Sequence, residues 1–123
     1  MDDFTAYAAF QEGTRLLRSR NAHAAVVALE RARRLEPDKG SVREALARAY
    51  FESGRLDAAE AEFRAALALD PVNDYAHFGL GVCRLRAGDR AGARGHLRQA
   101  TVMAPANPDY RAALAEAADG AGP

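Results

Sequence analysis

Residues 40–73 read Gly40-Ser-Val-Arg-Glu-Ala-Leu-Ala-Arg-Ala-Tyr-Phe-Glu-Ser-Gly-Arg-Leu-Asp-Ala-Ala-Glu-Ala-Glu-Phe-Arg-Ala-Ala-Leu-Ala-Leu-Asp-Pro-Val-Asn73. Two runs of apolar residues stand at helical spacing, Leu46, Ala49 and Tyr50, then Leu56, Ala59, Phe63 and Ala66. Ser53-Gly54 lies between them, and a glycine there lets the chain turn left-handed and close the first helix. Pro71 ends the second helix, because it has no amide hydrogen to donate and it restrains Asp70 before it. The stretch predicts two short antiparallel helices.

The same reading recurs on either side. Pro37, Pro71 and Pro105 are 34 residues apart. Ala25, Ala59 and Ala93 keep that period, as do Ala32, Ala66 and Ala100. Small residues at 13, 47 and 81 are matched by large ones at Leu29, Phe63 and Leu97, which fill the space opposite. A fixed period of this length marks a repeat array, in which each unit buries its apolar face only by stacking on its neighbours. The units run over 6–39, 40–73 and 74–107. The first is the loosest copy: Glu12 stands where Leu46 and Leu80 stand, and Arg20 where Gly54 and Gly88 stand. Asn21, which tolerates left-handed geometry, is expected to take over that turn. After Pro105, Asn107-Pro108-Asp109 opens a further helix with an N-cap, a first-turn proline and an acid at the positive dipole end. Tyr110, Ala113, Leu114 and Ala117 form its apolar stripe. The expectation is an all-α chain of seven helices and no strands, one domain over 1–119, with 120–123 a disordered tail.

Composition narrows the function classes. The chain has 123 residues, 49% apolar and 28% charged, a globular balance far from that of disordered chains. Its formal net charge is zero, so no global field draws it to nucleic acid or a membrane surface. The N-terminus is acidic where a secretory signal would be basic, and no apolar run is long enough to span a bilayer. These features point to a cytoplasmic protein. A single cysteine, Cys83, excludes an internal disulfide and a cysteine metal cluster. Cys83 sits at a small-residue position that Ala49 holds one unit earlier, which reads as core packing. His23, His77 and His96 fall in three different helices without ligand spacing. Gly79-Leu-Gly81 lacks the strand and the further glycine of a phosphate loop. No catalytic residue, metal site or cofactor is called for, and the chain reads as a non-enzyme.

Leu46-Ala47-x-x-Tyr50, Gly54, Ala59, Phe63, Ala66 and Leu69-Asp70-Pro71 resemble the tetratricopeptide repeat family. The third unit carries the same marks at Leu80-Gly81, Gly88, Ala93, Leu97, Ala100 and Pro105. The large aromatic that the family favours early in each first helix is replaced by Ala9, Arg43 and His77. The resemblance implies a right-handed α-solenoid of three helix pairs, with 108–119 as a capping helix. It also implies a concave groove, lined by the first helices, that binds a peptide. On that geometry the groove receives Tyr7, Phe10, Thr14, Leu17 and Arg18 from the first unit. The second gives Ser41, Glu44, Arg48, Phe51 and Glu52, and the third Tyr75, Phe78, Val82, Leu85 and Arg86. Leu17, Phe51 and Leu85 have an alternative place in the core. Some family members grip a chaperone's C-terminal carboxylate with lysine and asparagine. Here those positions are Phe10, Thr14, Ala45 and Gly79, so that clamp is absent.

The reading that follows is a protein–protein adaptor or chaperone-like scaffold that holds an apolar peptide segment. Tyr7, Phe10, Phe51, Tyr75 and Phe78 would anchor it, and Arg18, Glu44, Arg48, Glu52 and Arg86 would set its register. A second reading is a homodimer formed through the same apolar surface. A third is RNA or an acidic partner bound through the third unit, where Arg84, Arg86, Arg90, Arg94 and Arg98 face a single acid, Asp89. Arg90, Arg94 and Arg98 line one helix face. One lysine against sixteen arginines fits a GC-rich coding bias, which supplies arginines without a functional reason.

Overall fold

Asn21, Asn73, Asp89 and Asn107 each precede a helix and accept a backbone N–H from its first turn, with Ala24 N at 3.3 Å, Ala76 N at 3.0 Å, Gly92 N at 2.9 Å and Asp109 N at 2.9 Å. These caps satisfy donors that a helix start would otherwise leave open. A computed structural model describes residues 2–119, with side chains over 5–118. The expected tail at 120–123 lies outside the described residues. The helices are α1 Asp2–Arg18, α2 Ala22–Leu35, α3 Gly40–Glu52, α4 Leu56–Leu69, α5 Asp74–Arg86, α6 Arg90–Met103 and α7 Pro108–Asp119. No strand occurs among the described residues. The chain divides into two compact units, α1–α4 over 1–70 and α5–α7 from 71 onward.

The turns inside the three helix pairs are copies of one another. Arg20, Gly54 and Gly88 have φ of 64°, 84° and 85°. In each case the next residue's N–H closes on a carbonyl five residues back: Asn21 to Leu16 at 2.9 Å, Arg55 to Tyr50 at 2.8 Å and Asp89 to Arg84 at 2.8 Å. This is the Schellman closure of a helix. The expectation for Asn21 is corrected here. Arg20 itself takes the left-handed position, and Asn21, with φ −108°, is spent on capping α2. Backbone bonds on both sides over-determine the turn, and they outweigh the side chain's reluctance. Arg20→Gly should therefore stabilise the protein by roughly 0.5–1 kcal/mol, since a left-handed non-glycine residue costs about 1–2 kcal/mol and glycine returns part of that as entropy. Urea unfolding at constant m-value measures it; an unchanged or lower midpoint would refute the strain.

The small-against-large pattern is the core. Leu29 and Leu97 are fully buried. A Cβ added at Gly13 would collide with Leu29, and one added at Gly81 would lie 2.5 Å from Leu97 Cγ. Glycine is what lets the two helices of the first and third pairs close to that distance, while the second pair has Ala47 at that place.

Two polar features join α2 to the second repeat. Glu62 on α4 is an acid, yet it is only 6% exposed. It accepts from Arg33 Nη1 on α2 at 2.5 Å and from Arg43 Nη1 on α3 at 2.9 Å, so three helices meet at one carboxylate. Beside it Tyr50 donates its hydroxyl to Glu30 of α2, and Arg55 lies 4.6 Å over the Tyr50 ring. Burial first, and then the bond to Glu30, push the Tyr50 phenol above its ordinary pKa.

The residues that replace the expected early aromatics also have work. Arg43 Nε donates to Pro37 O at 2.9 Å, and Arg111 Nη1 donates to Pro105 O at 3.0 Å. His77 Nε2 lies 3.3 Å from Pro71 O, an acceptor only. Each side chain stands six residues after its proline and ties the junction carbonyl.

Candidate functional site

α1 and α3 carry the expected groove residues of the first two repeats, and the structure divides them. Tyr7 is 57% exposed, and its hydroxyl accepts from Gln11 Nε2 at 2.8 Å. Phe10 is half-buried, packed on the cluster of Ala9, Ala32 and Val42. Tyr7, Phe10 and Ser41 come together around a cleft of about 270 Å³ whose remaining lining is Ala6, Glu36, Lys39 and Val42. Lys39, the chain's one lysine, was not singled out by sequence. It stands two residues past Pro37, where the chain enters α3, and its place at the cleft depends on how that junction packs. Leu17 is corrected: at 4% exposure it belongs to the core and not to a binding surface. Thr14 and Arg18 lie further along α1, outside that lining, with the Thr14 hydroxyl bonded to Gln11 O at 3.1 Å. On α3, Arg48 Nε pairs with Glu52 at 2.8 Å, so these two charges answer one another. Glu44 and Phe51 are half-buried.

α5 carries the third unit's set. Tyr75 and Phe78 have ring centroids 6.2 Å apart, and Phe78 stacks on Tyr110 of α7 at 4.8 Å. The Tyr110 hydroxyl donates to Asp74 at 2.7 Å. Phe78 and Leu85 pack on the cluster of Ala93, Leu97 and Ala117. Phe78 is thus a packing residue, half-buried against α6 and α7. Val82 is half-buried and Arg86 exposed.

The arginine stripe on α6 has a structural task. Arg90 Nη1 donates to Glu116 O at 3.0 Å, and Arg94 Nη1 lies 3.4 Å from Ala117 O. These are carbonyls of the last turn of α7, where unsatisfied acceptors and the negative dipole end draw cations. Arg84 bridges Asp89 at 3.0 Å. The Gly92 N–H, and then Arg84, hold the Asp89 carboxyl below its usual range. Of the stripe, Arg98 is left exposed on the surface. Sequence spacing placed these arginines on one face but could not show that the face meets a helix end.

His77 and His96, which the sequence separates, have rings 5.8 Å apart. They occupy the places that Arg43 and Glu62 hold one repeat earlier. The buried His77 Nδ1 has no hydrogen-bond partner. Among the described residues no group of three or more histidine, cysteine or acidic side chains could hold a metal ion. No described helix is long and apolar enough to cross a membrane.

Among curated protein sequences none matches the chain. Solved structures do. The TPR domain of Arabidopsis OM64 superposes with a TM-score of 0.94 at 19% identity, covering 98% of this chain and 99% of that one. The first TPR of Spaghetti (RPAP3), bound to the HSP90 peptide SRMEEVD, gives 0.90 at 17% identity, covering 95% and 93%. The second TPR domain of human RPAP3, in complex with an HSP70 peptide, gives 0.89 at 17%, covering 96% and 98%. At such identities the likeness is one of fold, the all-α class of helical-repeat solenoids. The sequence profile of the Tetratricopeptide repeat matches over 10–74 and 44–108, most of the chain. The turn, the proline and the small-against-large pattern recur here with the same period, and the chain belongs to the tetratricopeptide-repeat family.

Proposed function

We propose that this chain is a binding module, not a catalyst, and that it holds an apolar peptide segment on the first helices of its repeats. The observation that carries the reading is Tyr7, a large aromatic left 57% exposed at the rim of a cleft. Exposed aromatic faces beside a concavity are the usual anchors of binding energy. Similar folds that bind chaperone tails give the general precedent for a peptide ligand. Phe10 at one clamp position, together with Ala45 and Gly79, favours an apolar segment over a free carboxylate. Tyr75 keeps the place of Tyr7 two repeats on, and each tyrosine has its own phenylalanine beside it, Phe10 at the Tyr7 cleft and Phe78 next to Tyr75. A surface of this size fits an interface under about 1,200 Å² and micromolar affinity.

The test uses peptides selected from a random library on the immobilised full chain, with SRMEEVD as the contrast. Selected peptides should be rich in apolar residues. Tyr7→Ala with Tyr75→Ala should weaken them about tenfold or more without lowering the melting temperature. SRMEEVD should bind poorly to both proteins. Tight binding of SRMEEVD, or selected peptides that ignore the double substitution, would sink the reading. A concentration-dependent dimer that the same double substitution dissolves would replace it with self-association.

A further inference from the structure

The first helix pair carries a second concavity, which shares no lining residue with the Tyr7 cleft. A valley of about 540 Å³ runs between α1 and α2, with Glu12 and Leu16 on one wall and Val27, Ala28, Arg31 and Arg34 on the other. On each helix the lining positions follow the spacing of one helix face, 5, 8, 9, 12 and 16 on α1 and 24, 27, 28, 31 and 34 on α2, so each wall is a single ridge. The α1 wall extends from residue 5 to residue 16, which is three turns or roughly 16 Å. Val27 stands 70% exposed in it.

The chain itself shows what fills such a valley. One repeat later, Leu16 and Ala28 become Tyr50 and Glu62. There α2 packs along α3 and reaches α4 through one side chain: the Tyr50 hydroxyl bonds to Glu30, and Arg33 bonds to Glu62. The face defined by those two positions is therefore a helix-receiving face. On α1 and α2 its polar partners are gone, and it is the more apolar for it. Its rim has gained charge, because Arg31 and Arg34 replace Ala65 and Ala68. Both arginines are exposed, and neither forms an ion pair among the described residues. The acid of the lining, Glu12, is bridged to Arg15 at 2.7 Å, so the two arginines set the sign of the rim.

We infer that this valley docks an amphipathic α-helix of a partner protein, about three turns long, with small or aliphatic residues along its seam and carboxylates facing Arg31 and Arg34. The site stands apart from the peptide-binding reading above, and either can fail alone.

The probe is a labelled, hydrocarbon-stapled peptide with the sequence of residues 56–69, Leu-Asp-Ala-Ala-Glu-Ala-Glu-Phe-Arg-Ala-Ala-Leu-Ala-Leu. It is apolar along one face and carries three acids against one arginine. Fluorescence anisotropy with the full chain should show saturable binding. Val27→Asp, and separately Arg31→Glu with Arg34→Glu, should weaken it about tenfold or more, while Tyr7→Ala leaves it unchanged. A second peptide, with the three acids changed to lysine, should prefer the charge-reversed protein to the wild type. No binding of the acidic peptide overturns the inference, as does binding that neither substitution moves. A wild-type chain that sediments as a dimer, with Val27→Asp a monomer, overturns it in favour of a second copy as occupant.

Discussion

Glu62→Ala is expected to cost about 3 kcal/mol, a large share of the stability of a domain this size. The carboxylate is 8% exposed at its side chain, and its two arginine partners are 30% and 21% exposed. Removing one partner of a fully buried pair costs about 3–5 kcal/mol, because the remaining charge is stranded. Here Arg33 and Arg43 keep some water, which places the loss toward the lower end. The geometry adds to it: one carboxylate joins α2, α3 and α4, so its loss loosens three helices together. Glu62→Gln keeps the shape and one acceptor and should fall between wild type and alanine. Urea unfolding followed by circular dichroism measures both. A loss below about 1 kcal/mol for alanine would mean that the arginines find other partners or open to solvent, and that the carboxylate is incidental to the packing.

Gly81→Ala should be nearly as damaging although it adds one methyl group. That methyl would lie 2.5 Å from Leu97 Cγ and 3.4 Å from Ala93 O, and Leu97 is fully buried with no free direction to retreat. Overpacking of this kind costs about 1–3 kcal/mol. Leu97→Ala alone should cost about 3–4 kcal/mol through the cavity it leaves. The double substitution should cost less than the sum, by about 1–2 kcal/mol, since the new methyl then occupies vacated space. Additive losses would show that helices α5 and α6 separate on mutation instead of competing for one volume. Gly13 and Leu29 form the same lock in the first unit, and a parallel cycle there should give the same sign.

What was legible in the chain was whatever the repeat writes locally. Gly54, Gly88 and the three prolines specify turns and helix ends within a few residues, and helix periodicity then assigns the core face. The seven helices among the described residues follow from that. Arg20 is not legible because residue type points away from a left-handed arginine, whereas hydrogen bonds from both flanking helices fix the geometry whatever residue is there. Glu62 was unreadable for a different reason: its partners lie 19 and 29 residues away, and an acid in an amphipathic helix ordinarily faces water. Arg90 and Arg94 likewise look like a solvated stripe until α7 folds back over them. In the candidate site, the period puts Tyr7 and Tyr75 on the first helices of their repeats. It could not tell how much of Phe10, Leu17 or Phe78 the neighbouring helices would cover. The sequence does carry one further signal: Arg43, His77 and Arg111 keep the period of 34 themselves, and a polar position that repeats as faithfully as the prolines points to a structural partner.

The ties from those side chains to the proline carbonyls bear on how such an array can be cut and copied. The reading frame suggested by helix content runs from 40 to 73, but the tie between Arg43 and Pro37 straddles its start. A cassette taken from Pro37 to Asp70 keeps its donor and acceptor on one piece of chain, and so does one taken from Pro71 to Ala104 with His77. Duplications or grafts whose breakpoints fall immediately before a proline should therefore splice without a severed junction. Those that break within the six residues after it leave an arginine without its carbonyl on one side and a bare carbonyl on the other. The natural module of this protein begins with its proline, three residues earlier than its helices would suggest.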